Sequence, residues 1–243
     1  MLEWVALFFG IGIAAAWYGR RQPFPRYAHS LSLTSIGTAV LLLLALSGPR
    51  PTEPRVPMIA ALLIGMLGVT IGSRLMNQMK RDVVVAPFAS ILFASGATGL
   101  LAHDWSNQMM LQQIGSFVLA SLLVMLAIYL CFRGLVIGVP GIAWSQAGLQ
   151  QIERGLFDGP HGAISCFERA WDENDPSLDA MSKAALCRIH STRGDSTELA
   201  ANNKLLQRHG GFAAVDSEWI RAIDSALKSC QLQPGPLPST EQE

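Results

Sequence analysis

The sequence predicts an all-α protein in two parts, a five-span transmembrane helical bundle followed by a cytoplasmic α-helical domain. Three observations predict it. Five runs of about 17–25 apolar residues, each long enough to cross the hydrocarbon core of a bilayer, fill most of residues 1–132. Charge is divided along the chain: residues 1–144 hold nine Lys/Arg and four Asp/Glu, whereas residues 145–243 hold nine and fourteen. From Trp144 onward, helix start and stop signals follow one another without the alternation of a strand. The whole-chain averages, half apolar and 15% charged with no net charge, hide this division.

The first span, residues 1–19, is apolar except for Glu3 and ends in Trp17-Tyr18-Gly19-Arg20-Arg21. A cleavable signal peptide opens on a basic region, and this chain opens Met-Leu-Glu-Trp, so the segment reads as a retained span. The ending Ala14-Ala-Ala-Trp-Tyr-Gly-Arg-Arg21 resembles the N-terminal anchor of lipopolysaccharide assembly protein B, a membrane-tethered tetratricopeptide protein.

The remaining spans are 28–47, 56–73, 83–102 and 112–132. Their connectors are short, which implies an up-and-down bundle. The loops holding Arg20, Arg21 and Arg26 and then Arg74, Lys80 and Arg81 carry six basic residues, while 49–57 carries two and 103–111 none. Cytoplasmic loops are the ones enriched in Lys and Arg, so the N-terminus is expected outside and the C-terminal domain inside, in a multi-pass protein of a bacterial inner membrane. Trp4 and Trp105 then fall at the outer interface, and Trp17, Tyr18 and Trp144 at the inner one.

Small residues mark the expected helix contacts. Gly65, Gly68 and Gly72 lie on one side of the third span, and Ala86, Ser90, Ala94 and Thr98 recur every four residues in the fourth. Such rows let backbones approach in lipid. Packing of spans three and four on each other is the first expectation, with homo- or hetero-oligomer contacts through the same faces as the alternative. After span five, residues 134–144 contain three glycines and Pro140, and an interfacial elbow is expected there.

No Asp, Glu, Lys, Arg or His lies in the middle of a span; Asp82, His103, Asp104 and Arg133 all sit at span ends, which disfavours ion-coupled transport. Phe93-Ala-Ser95-Gly96 is similar to the GxSG of rhomboid-type proteases, but its first position is Phe and no histidine lies in a later span to serve Ser95 as base. His161, Cys166, Cys187 and His190 are nominally enough for zinc, yet their spacings are unlike compact zinc knuckles. No catalytic residue, cofactor or metal is therefore expected. Cys166 reads as core, and Cys187 as belonging to a partly exposed face. An acidic C-terminal domain argues against nucleic acid as a partner.

That domain reads as five helices: 145–155, 160–172, 176–192, 196–209 and 212–230. Asp175-Pro176 is a cap followed by a first-turn proline, and Asp195-Ser-Thr-Glu198 is a capping box. Residues 231–243, with three prolines and no apolar period, are expected to be disordered. Gly155-Leu-Phe157 followed by Ala163-Ile164, Phe167, Ala170-Trp171 and Asp175-Pro176 resembles the turn and second helix of a tetratricopeptide repeat, with about three extra residues at 158–161. A second segment, 184–206, keeps Ile189 and Gly194-Asp195 but lacks the large aromatics. The resemblance implies a solenoid with a groove for a peptide or partner helix; a plain bundle whose apolar faces are all core is the alternative. Phe212, Val215 and Trp219, on the last amphipathic stripe, are the expected partner-binding edge.

These readings converge on a non-enzymatic membrane adaptor. It would contact lipid through its spans and hold proteins of an envelope complex (polysaccharide, lipopolysaccharide or secretion machinery) through its helical domain. The alternative is a transporter or channel subunit with a regulatory tail.

Overall fold

The computed structural model describes residues 1–20, 22–48, 53–78, 81–171 and 175–232. Arg21, Arg50 and Lys80, which enter the loop-charge argument, and 233–243 of the expected disordered tail lie outside the described residues. Among the described residues all regular structure is helical, and the chain divides into two compact units, Met1–Val139 and Pro140–Glu243.

The first unit contains α1 (Leu2–Gly19), α2 (Pro25–Leu46), α3 (Arg55–Asn77), α4 (Val85–His103) and α5 (Met110–Cys131), the last continued by a π-helical turn, Phe132–Ile137. All five helices are long and apolar enough to cross a membrane, which makes the chain a membrane protein. Several overrun the apolar runs that predicted them. Pro25 opens α2 three residues early, because a proline in the first turn loses no helical hydrogen bond. The end of α3 carries Arg74 four residues beyond Thr70. Hydropathy locates the part of a helix suited to lipid, whereas caps and loops decide where the helix ends.

The unit is organised around α4, 56% of whose membrane window is buried against 6% for α5. Helix α4 packs along α3 and more loosely on α5, α1 pairs with α2, and Tyr18 of α1 meets Phe88 of α4 at 5.7 Å. The expected elbow is much shorter than 134–144. Gly134 sits inside the π-helical turn, where a Cβ would lie 2.6 Å from the Val83 carbonyl oxygen, so that glycine serves a close helix approach rather than a break. The helix stops only at Gly138, whose φ of +67° favours glycine, and the next helix already begins at Pro140.

The second unit contains α6 (Pro140–Glu153), α7 (Ala163–Trp171), α8 (Pro176–Arg193), α9 (Ser196–Arg208) and α10 (Ser217–Ser229). The caps follow from sequence: the Asp175 carboxylate accepts from the Ser177 and Leu178 amides, Asp195 from Glu198 and Asp216 from Glu218, while Gly194 closes α8 at φ +74°. Two helices start later than expected. Residues 159–162 form a turn in which the Ala163 amide donates to the Leu156 carbonyl, and Gly211–Ala214 is a 3-10 turn ahead of α10. Helix α8 is the centre: every residue from Leu178 to His190 is buried. Helix α10 packs on both α6 and α8. Arg188 of α8 donates through Nε (2.8 Å) and Nη2 (2.6 Å) to Asp224 of α10, and the Cys230 thiol donates to the Ile152 carbonyl.

Candidate functional site

The small residues of α3 and α4 meet at close range. A Cβ on Gly65 would lie 2.8 Å from the Ala89 carbonyl oxygen, and one on Gly72 would lie 2.7 Å from the Ala86 Cα; Gly68 faces the Ala89 methyl. The four-residue row on α4 does not stay on that contact. Each step of four turns about 40° around a helix of 3.6 residues per turn. Ala86 accordingly meets α3, and Ser90 is buried with its hydroxyl donating to the Pro87 carbonyl (2.6 Å). Ala94 and Thr98 instead line a cavity of about 600 Å³ against Val124, Ala127 and Ile128 of α5. The contact with α3 continues through Phe93 and Gly96, where a Cβ would lie 2.6 Å from the Met58 carbonyl oxygen. Gly96 sits seven residues after Ala89, two turns on the same face, and that spacing was the available signal.

The expected partner-binding edge is core. Trp219 has no exposed surface; its indole N–H donates to the Met181 carbonyl (2.8 Å) and its ring stands edge-on to Phe167 at 6.1 Å. Val215 is 8% exposed, and Phe212, half-buried, lies in the 3-10 turn rather than on the helix. The stripe is apolar because it closes α10 onto the domain. Cys187 is likewise fully buried rather than partly exposed, and burial pushes its thiol up to about 12, so it stays protonated and unreactive at neutral pH. Among the described residues no three His, Cys, Asp or Glu side chains gather as a metal-ligand group.

A polar groove of about 450 Å³ lies between α7 and α9 in the second unit. Helix α7 contributes Ser165, Glu168, Arg169 and Trp171, and α9 contributes Glu198, Ala201, Asn202 and Leu205. Lys183 enters from α8 between them and is only 6% exposed. Its ammonium lies 4.4 Å from the centre of the Trp171 ring and donates to Asn202 Oδ1 at 3.3 Å. The Asn202 amide in turn donates to the Glu198 carbonyl at 2.9 Å, which fixes its orientation. One turn before Lys183, the buried Asp179 carboxyl is raised above its ordinary range by desolvation, with His209 and Lys183 acting in the opposite sense. Arg169 lies over the Trp144 ring at 4.9 Å.

In the sequence Trp171 and Glu198 figure only in the repeat-like pattern and the capping box, and the other groove residues do not stand out. Buried lysines are rare, and α8 is covered on all sides, so the burial of Lys183 follows from its tertiary neighbours and not from a pattern along the helix. No protein-family model matches the chain, and neither a curated protein nor a solved structure matches it.

Proposed function

We propose that the protein is a non-enzymatic adaptor of a bacterial inner membrane, its N-terminus outside and its helical domain in the cytoplasm. The domain holds partner proteins of an envelope complex such as polysaccharide, lipopolysaccharide or secretion machinery. The observation that carries this reading is the groove between α7 and α9, a concave surface floored by the Lys183–Asn202–Trp171 cluster. The orientation is supported by Arg20, Arg26, Arg74 and Arg81, which lie in or within a turn of the α1–α2 and α3–α4 connections. Because α10 packs on α6 as well as α8, the domain is best read as a closed bundle with a groove on one side, and the tetratricopeptide-like pattern as local.

The test is tagged purification of the full chain from its native membrane beside Ala201→Trp, which fills the groove from an exposed position. Partner proteins are expected with the wild type and their loss with the variant; an identical set with both would refute the adaptor reading.

One observation favours the alternative of a transporter or channel subunit with a regulatory tail. Asp82, 1% exposed in the membrane unit, accepts from the Val84 and Val85 amides through Oδ1, but among the described residues its Oδ2 has no hydrogen-bond partner. On that reading a chain lacking residues 140–243 keeps its activity.

A further inference from the structure

The four charges lining the groove are not equivalent. Both cations are engaged: Lys183 is held by Asn202 Oδ1 and the Trp171 ring, and the Arg169 guanidinium lies over Trp144. The two carboxylates are exposed on opposite walls, Glu168 on α7 and Glu198 on α9, and within the described residues neither makes an ion pair or hydrogen bond. Trp171 and Leu205 add apolar surface to the same lining. The sequence from 145 to 243 is itself acidic, with fourteen Asp/Glu against nine Lys/Arg. Unengaged carboxylates beside apolar surface complement a cationic side chain with an aliphatic stem, which places its charge on the rim and its methylenes on the indole.

The adaptor reading, on which this inference rests, narrows the source of that cation. Only residues 138–139 separate the π-helical turn ending α5 from the first helix of the domain, so the domain is tethered directly to a membrane-crossing helix. The segments offered to such a domain are the cytoplasmic flanks of other membrane proteins, and these are the stretches enriched in Lys and Arg. We infer that the groove binds the basic cytoplasmic segment flanking a membrane span of a partner protein. An Arg or Lys sits between Glu168 and Glu198, and an apolar neighbour rests on Trp171 and Leu205. Rim charges of this kind set on-rate and specificity and are screened by salt.

The test uses the full chain in a non-ionic detergent and two fluorescein-labelled peptides of equal length, one alternating arginine with leucine and one alternating glutamate with leucine, read by anisotropy. The arginine peptide is expected to bind, to weaken as salt rises, and to lose about tenfold or more in affinity with Glu168→Gln plus Glu198→Gln. The glutamines keep the shape of the walls, and unchanged circular dichroism checks that the domain stays folded. The double reversal Glu168→Lys with Glu198→Lys is expected to move preference to the glutamate peptide. Equal binding of the arginine peptide by wild type and glutamine variant, or no binding at all, overturns the inference. A wild-type preference for the glutamate peptide also overturns it, yet leaves the adaptor reading standing; that reading falls separately if the groove-filling Ala201→Trp retains the whole set of co-purified proteins.

Discussion

Trp219 fills the middle of the helical domain, with its ring against Phe167 and its N–H spent on the Met181 carbonyl. Removing it leaves a large cavity and takes away the indole hydrogen bond to that carbonyl, so Trp219→Ala is expected to cost about 3–5 kcal/mol in chemical denaturation of the detergent-solubilised chain. A cost near zero would return the residue to the surface. The stripe of Phe212, Val215 and Trp219 was legible as apolar, but an apolar stripe shows only that something covers it; whether that is α6 and α8 or another protein is a tertiary fact. Asp82 offers a pH test. Desolvation raises its carboxyl above the ordinary value, against the two capping amides that lower it. The folded state therefore holds the proton more tightly than the unfolded chain. The associated stability is complete at pH below the ordinary carboxylate range and is lost as pH rises through the raised folded value. Asn caps nearly as well as Asp and does not titrate, so Asp82→Asn is expected to flatten this fall in thermal stability with rising pH. Parallel profiles for the two proteins would contradict it.

Helices α3 and α4 are held at backbone distance by glycine. A leucine at Gly72 meets the Ala86 backbone, and one at Gly96 meets the backbone at Met58 and Leu62. Both substitutions are expected to destabilise the solubilised bundle by at least the ~1–3 kcal/mol typical of overpacking. Gly115→Leu on α5, where nothing lies within 4 Å, is expected to leave the melting temperature unchanged. If the three behave alike, the contact is misplaced. The existence of each helix was readable because length and apolarity set it locally. The four-residue row on α4 misled because that spacing drifts around the helix, taking Ala94 and Thr98 from α3 to α5. The glycines at 134–144 misled in the other direction, since Gly134 allows close packing inside a helix while only Gly138 breaks one.

At the scale of the whole molecule, the structure divides between residues 139 and 140, whereas the change in charge and hydropathy along the sequence falls at 144 and 145. Lipid and water select different compositions, but composition shifts only gradually across a short connection. The groove was not legible in the sequence, since it depends on which sides of α7 and α9 the buried α8 leaves uncovered. On the proposed orientation, a reporter fused at Glu243 is expected to be active only in a cytoplasmic form and one inserted at Asn107 only in an external form. The opposite pattern at either site would mean a miscounted span. The adaptor claim itself is tested most directly in living cells by a photo-crosslinking amino acid at Ala201, an exposed position lining the groove. Discrete adducts with an integral membrane protein, lost when Glu168 and Glu198 are both changed to glutamine, are the expected result; no adduct from Ala201, or the same adducts after both changes, would contradict the account.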